Sequence, residues 1–249
     1  MNALSRRAFC LAASAGLLMK ADTRRILVHG HRGARARRPE NTIPAFRYAI
    51  EQGVDVLELD VAVTRDGVPV ISHDPLINPT ICSGPKLGIP IHTLTRKELD
   101  AWDCGAKKNP GFPDQVPVPG TPIPNLDEVF SLGAGNAVQF NVETKIFADK
   151  PELTPDPETF TKMILDLVKK HGLESRVILQ SFDPRTLRVM KRLDPSIRRA
   201  ALWETKRDWK EVAAEFEATL FSPDFHLVTK EHVDEAHRVG MQVVPWTVD

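Results

Sequence analysis

From Ala137 onward the chain repeats one unit, a short apolar run followed by an amphipathic stretch. The apolar runs cover 137–145, 177–182, 199–203, 219–223 and 241–248. Between them, Pro157 to His171 shows the helical pattern: Phe160, Met163, Ile164, Leu167 and Val168 share one face, and Gly172 stops it. The stretches 184–193, 207–216 and 230–239 read the same way. Two earlier strands, 26–31 and 54–63, flank a helix that Asn41 or Thr42 can cap, with Pro44 in its first turn. Strand–helix units of this size imply a parallel sheet, because each helix carries the chain back to start the next strand in the same direction. Continued this far, they imply a barrel rather than an open sheet. One connection differs. Asp66-Gly67 leaves no room for a crossover, so Val68 to Ser72 is expected to form a hairpin with the strand before it. The expected fold class is α/β, a TIM (β/α)8 barrel with an insertion after the strand ending at His73-Asp74.

The insertion is visible in proline. Ten of the 20 prolines fall between Pro75 and Pro124. Proline is excluded from helix interiors and central strands, so 75–125 is expected to be irregular. Cys82 and Cys104 both lie there, 22 positions apart. They can form a disulfide that staples the loop, or stay as two thiols. Neither has a Cys or His neighbour at zinc-ligand spacing.

The first 21 residues read as a signal peptide, with 22–249 as the working domain. Arg6 and Arg7 precede an apolar run from Phe9 to Met19, and Ser5-Arg6-Arg7-Ala8-Phe9 resembles the twin-arginine export motif. That run is too short to span a membrane, and no later apolar segment approaches spanning length. A periplasmic or secreted location is therefore expected. The 33 basic and 33 acidic residues balance, which argues against a nucleic-acid partner. No Walker loop or GxGxxG follows any strand, and Ser181 lacks the G-x-S-x-G elbow of serine hydrolases.

Barrel chemistry gathers at the C-terminal ends of strands. Those ends supply His31-Arg32, Glu58 and Asp60, His73-Asp74, and Glu143 with Lys145. Glu58 and Asp60 are two apart on a strand and point the same way. Two adjacent carboxylates repel, so without a cation one must take up a proton. With Glu143 they can hold one divalent metal, and all-oxygen ligation suits Ca²⁺ or Mg²⁺. Alternatively, they face solvent or pair with Arg32 and Lys145. His31 and His73 bracket this cluster and can serve as acid and base. Arg32 and Lys145 supply charge suited to a phosphate. Trp246 ends a strand near the mouth, lining the pocket or packing in the core. His29 reads as a strand residue.

Gly30-His31-Arg32-Gly33, Pro39-Glu40-Asn41-Thr42, Glu58-Leu59-Asp60, His73-Asp74, Glu143-Thr144-Lys145 and Trp246-Thr247-Val248 occur in this order. Together they resemble the glycerophosphodiester phosphodiesterase family. The resemblance implies a TIM barrel with its insertion after the His-Asp block. It implies metal ligands at Glu58, Asp60 and Glu143, one divalent cation, and a His31/His73 acid–base pair. Arg32 and Lys145 match residues that contact phosphate, and Glu40 matches one near the metal. The implied reaction converts a glycerophosphodiester to glycerol 3-phosphate and an alcohol. Two alternatives stand beside it: a related phospholipase C- or D-type enzyme acting on lipid headgroups, which needs an exposed apolar rim, and a non-catalytic phosphate-binding barrel. With aromatics at 6% of residues, the sequence shows no clear rim.

Two departures from the family pattern stand out. Thr144 occupies a position that is often aliphatic. The Trp-Thr-Val strand is normally followed by a helix and a last short strand, whereas this chain stops at Asp249. Counting 68–73 as a hairpin gives seven staves, so the last stave is expected to be missing, with apolar surface exposed at the first and seventh. Counting 68–73 as a stave removes the need for a truncation.

Overall fold

The computed structural model describes residues 26–248, so the expected export signal over 1–21 lies outside the described residues. The chain runs β1 (His29–Gly30), α1 (Ile43–Glu51), β2 (Val56–Val63), β3 (Pro69–Ile71), α2 (Leu126–Ser131), β4 (Gln139–Thr144), α3 (Pro157–His171), β5 (Val177–Ser181), α4 (Pro184–Leu193), β6 (Arg198–Trp203), α5 (Trp209–Phe216), β7 (Leu220–Pro223), α6 (Lys230–Arg238) and β8 (Gln242–Val243). Hydrogen bonding links them in the order β1-β2-β4-β5-β6-β7-β8, all parallel, with β3 antiparallel on β2. The hairpin is therefore real and β3 is not a stave. Thr64 closes it: its Oγ1 accepts from the Val68 N–H at 2.9 Å, and Gly67 takes the positive φ of the turn.

Each long parallel strand divides its side chains between two environments. Leu57, Leu59, Val61 and Val63 of β2 join Phe140, Val142, Val177 and Leu179 under the helices, where Phe46, Phe130 and Phe160 complete the main core. The alternate positions face the barrel interior. There Ile178, Ala200 and Leu220 fill the lower part, while Glu58, Asp60, Asn141, Glu143 and Gln180 form a buried polar part above. Register places them: Glu58 lies beside Asn141, and Asp60, Glu143 and Gln180 lie side by side across three strands.

Among the described residues, seven parallel strands fall one short of a closed barrel. Among the described residues β1 pairs only with β2, and β8 only with β7. Both are shorter than expected, two residues in place of 26–31 and 241–248. A strand pairing on one side only receives half the ladder bonds, so regular pairing stops early. Ile26 is 87% exposed and Val28 56%, at this unpaired edge. The expected apolar exposure is present there. Thr247 nevertheless reaches across the gap, with its Oγ1 3.0 Å from His31 Nδ1.

The insertion is irregular, as proline predicts, but not loose. It carries two short 3₁₀ turns and its own apolar cluster of Ile77, Ile91, Leu99, Trp102 and Ile123, with Cys82 and Cys104 buried among them. Those cysteines are joined by a disulfide. In the chain-entropy view, closing a loop of 22 residues contributes about 3 kcal/mol. The Asp103 carboxylate ties the loop's ends by accepting from the N–H groups of Gly105, Ala106, Gly120 and Thr121. The insertion docks on the β1–α1 loop through Gln115, which donates to the carbonyls of Arg35 and Arg38.

Candidate active site

The first strand ends in a turn that needs a glycine at position 33. Arg32 and Gly33 both take positive φ. A Cβ on Gly33 would lie 2.9 Å from the Ala45 backbone carbon, so glycine is required where the turn meets α1. This turn aims the Arg32 N–H at Glu58 Oε2, at 2.8 Å. Eight residues later, Asn41 and Thr42 divide their tasks. Thr42 caps α1 by accepting from the Ala45 N–H. Asn41, itself at positive φ, instead donates from Nδ2 to Asp60 Oδ2 at 2.8 Å.

Glu58, Asp60 and Glu143 each offer a carboxylate oxygen, and these lie within 4.8 Å of one another; all three residues are buried. The cluster fits either reading of the carboxylates, as ligands or as ion-pair partners, since it is also paired with cations. Lys145 Nζ donates to Glu143 Oε1 at 2.7 Å and lies 3.6 Å from Asp60, while Arg32 Nε is 3.5 Å from Asp60. Solvent-facing carboxylates are excluded. The three negative charges still outnumber the two cations. Burial, then Asp60, pushes the Glu143 carboxyl up to about 7. Burial with Asp60 and Glu143 raises Glu58 well above the usual range. Asp60 goes the other way: although buried, it is held below the carboxylate range by Lys145, His73, Arg32 and the Asn41 hydrogen bond. Crowded, buried oxygen ligands without soft donors fit a hard divalent cation.

His31 Nε2 lies 3.8 Å from Glu58 Oε2. Burial, Arg35 and Arg32 lower its pKa to about 3, so the ring is neutral near pH 7. His73 Nδ1 pairs with Asp74 Oδ1 at 2.9 Å. Glu40 accepts from Arg32 Nη1 at 2.7 Å and from Asn109 Nδ2 of the insertion at 3.1 Å. Trp246 lies beyond β8, half-buried, its indole N–H donating to the Ser222 carbonyl and its ring edge-on to Phe182. His29 is in β1, as read from the sequence, with its pKa lowered to about 4 by burial and Arg198.

Sequence reasoning missed several supporting residues. Gln180 Nε2 donates to Glu58 Oε1 at 2.8 Å, and Gln180 Oε1 accepts from Asn141 Nδ2 at 2.8 Å. Polar residues at alternating positions on strands otherwise apolar were the available signal. The unusual Thr144 is explained here: it is buried, and bonds Ser181 and Thr186 behind the sheet at 2.9 Å each. The rim was also missed. Phe182 and Phe225 are 42% and 40% exposed, and the Phe225 N–H donates to the Trp246 carbonyl, so three aromatics gather where composition suggested none.

The parallel strand ends and the loop after β3 together bring a carboxylate triad, two histidines and two cations to one end of the sheet, a set suited to phosphate esters. A family model described as the glycerophosphoryl diester phosphodiesterase family matches residues 31–249. A glycerophosphodiester phosphodiesterase of Caldanaerobacter subterraneus is 32% identical over 225 residues, covering 90% of this chain and 86% of the relative. A glycerophosphodiester phosphodiesterase of Bacillus subtilis is 30% identical, covering 96% and 81%. A solved putative glycerophosphoryl diester phosphodiesterase from Silicibacter pomeroyi superposes with a TM-score of 0.83 at 29% identity, covering 90% of this chain and 83% of the other. An Oleispira antarctica phosphodiesterase, solved with sn-glycerol-3-phosphate, shares the fold with a TM-score of 0.74 at 24% identity, covering 90% and 85%. The chain belongs to the glycerophosphoryl diester phosphodiesterase family, and is thus a phosphodiester hydrolase.

Proposed function

We propose that this protein hydrolyses glycerophosphodiesters to glycerol 3-phosphate and an alcohol, with His31 and His73 as the proton-transfer pair and one Mg²⁺ or Ca²⁺ held by Glu58, Asp60 and Glu143. The observation that carries this is the buried oxygen triad, flanked by the two histidines, in a chain of this family. Arg32 and Lys145 direct positive charge toward the phosphodiester oxygens and orient them. Neutral His31 takes a proton from the attacking oxygen. His73, its Nδ1 edge held by Asp74, presents Nε2 and gives a proton to the departing alcohol as the P–O bond breaks. A bound divalent cation supplies charge neutralisation for the phosphoryl oxygens.

The exposed Phe182 and Phe225, beside half-buried Trp246, favour one second reading, action on headgroups at a lipid surface. One assay separates the two. Alcohol release is measured from glycerophosphocholine and from phosphatidylcholine vesicles, with Mg²⁺, with Ca²⁺ and with EDTA. Turnover of the soluble diester, lost in EDTA, supports the proposal; turnover confined to vesicles supports the second reading; no turnover of either by the full chain supports a binding protein. We further read residues 1–21 as an export signal, with a periplasmic or secreted product. A disulfide in the working domain agrees with an oxidising compartment. Cell fractionation tests this, and retention in the cytoplasm would contradict it.

A further inference from the structure

We propose that Asn78, held in place by the Cys82–Cys104 disulfide, is a positioning residue that fixes the His73 ring through Asp74. The proposal rests on His73 being a proton carrier, as argued above.

His73 and Asp74 lie on the loop after β3, and their side chains are 36% and 39% exposed. Burial alone therefore does not hold the pair together. An aspartate free to rotate would let the imidazole turn, and a general acid must sit within hydrogen-bond reach of its target. Asp74 is prevented from rotating because both of its oxygens are engaged. Oδ1 takes His73 Nδ1, and Oδ2 accepts from Asn78 Nδ2 at 2.6 Å. These hydrogen bonds, His73's first, also hold the Asp74 carboxyl below its usual range. Its backbone carbonyl is engaged too, accepting from Ser72 Oγ at 2.8 Å.

Asn78 is fixed just as fully. Its Oδ1 accepts from the Thr80 N–H at 2.8 Å, and its carbonyl accepts from the Cys82 N–H at 2.9 Å. The turn 78–82 therefore ends at a cysteine covalently bound to Cys104. Beyond it, Ser83 and Asp103 exchange two backbone hydrogen bonds, and the Asp103 carboxylate gathers the Gly105–Thr121 segment. Glu40, His73, Asp74, Asn78, Cys82 and Cys104 line one shared cavity, so staple and histidine border the same space. The stapled insertion thus reaches the acid–base pair through one amide side chain, and opening the staple frees that amide.

The test uses the full chain with a divalent cation present. Wild type is assayed oxidised and after reduction, beside Asn78→Ala, the double variant Cys82→Ala/Cys104→Ala, and His73→Ala as reference. Each is given two substrates: glycerophosphocholine, whose alcohol needs a proton to leave, and a p-nitrophenyl phosphodiester, whose leaving group does not. Near-UV circular dichroism checks that each variant is folded. The expected result is a kcat for glycerophosphocholine about tenfold to a hundredfold lower in Asn78→Ala, in the cysteine variant and in reduced wild type. KM stays within about twofold, and the nitrophenyl rate is nearly unchanged. Reducing Asn78→Ala costs little more, because both changes act through one contact. Wild-type kcat in Asn78→Ala overturns the proposal. So do equal losses on both substrates, or fully multiplicative losses on reduction. Full activity in His73→Ala refutes the reading of the reaction instead.

Discussion

Glu143 ties the metal site to stability, and the sign of its effect is testable. In the metal-free protein its carboxyl is pushed from 4.5 up to about 7 by burial and by Asp60. A raised carboxyl stabilises the fold fully below its unfolded value and loses that contribution as pH rises through its folded value. The shift corresponds to about 3 kcal/mol lost between pH 4.5 and pH 8. For a chain of this size that is a fall of about 10 °C in melting temperature. Glu58 moves in the same direction, and Asp60 stays ionised across this window. The assay is thermal unfolding from pH 4.5 to 8.5 in EDTA, with and without excess Mg²⁺ or Ca²⁺. A cation at 100 times its Kd adds about 2.7 kcal/mol, and most of that gain should appear at the alkaline end, where no proton competes. Glu143→Gln keeps an acceptor for Lys145 but removes the charge. It should melt higher than metal-free wild type at pH 8 and respond weakly to the cation. A flat metal-free profile, or a Glu143→Gln variant no more stable than wild type at pH 8, would refute the reasoning.

Three further predictions follow from the same geometry. Gln180→Leu strips the support from Glu58 Oε1 and leaves Asn141 Nδ2 unpaired; calorimetric titration should show metal affinity about 10- to 100-fold weaker. Gly33→Ala forces a Cβ into the Ala45 backbone at positive φ; chemical denaturation should show a loss of about 1–3 kcal/mol, with the helix content of the remainder retained. Asp103 is held below the usual carboxylate range: its burial is outweighed by the N–H groups it accepts, Gly120 first. Its contribution is present above the unfolded value and lost as pH falls through the folded one. Amide protection in the insertion, taken relative to the intrinsic exchange rate at each pH, should therefore fall in acid, and Asp103→Ala should show the lowered protection at neutral pH.

The alternation of apolar runs located the parallel strands because a barrel strand buried on both faces must be apolar where it meets the helices. The same rule made Glu58 and Asp60 conspicuous. Strand ends were less legible. β1 and β8 are shorter than their apolar runs, since pairing depends on a neighbour that composition does not reveal. Long-range partners were least legible. Gln180 reaches Glu58 across 122 positions, and Thr247 reaches His31 across 216. The aromatic rim escaped for the same reason: Phe182, Phe225 and Trp246 come from separate elements that only the parallel pairing of β5 to β8 brings together. Local geometry explains why Thr42 and not Asn41 caps α1, because the positive φ at Asn41 turns its amide to Asp60.

The most direct test of the central claim is phosphorus NMR of glycerophosphocholine incubated with the protein. The account predicts that glycerol 3-phosphate accumulates with a divalent cation, and that its formation stops in EDTA and in the His31→Ala and His73→Ala variants. Phosphocholine as the product, or glycerol 3-phosphate formed equally well in EDTA, would contradict it.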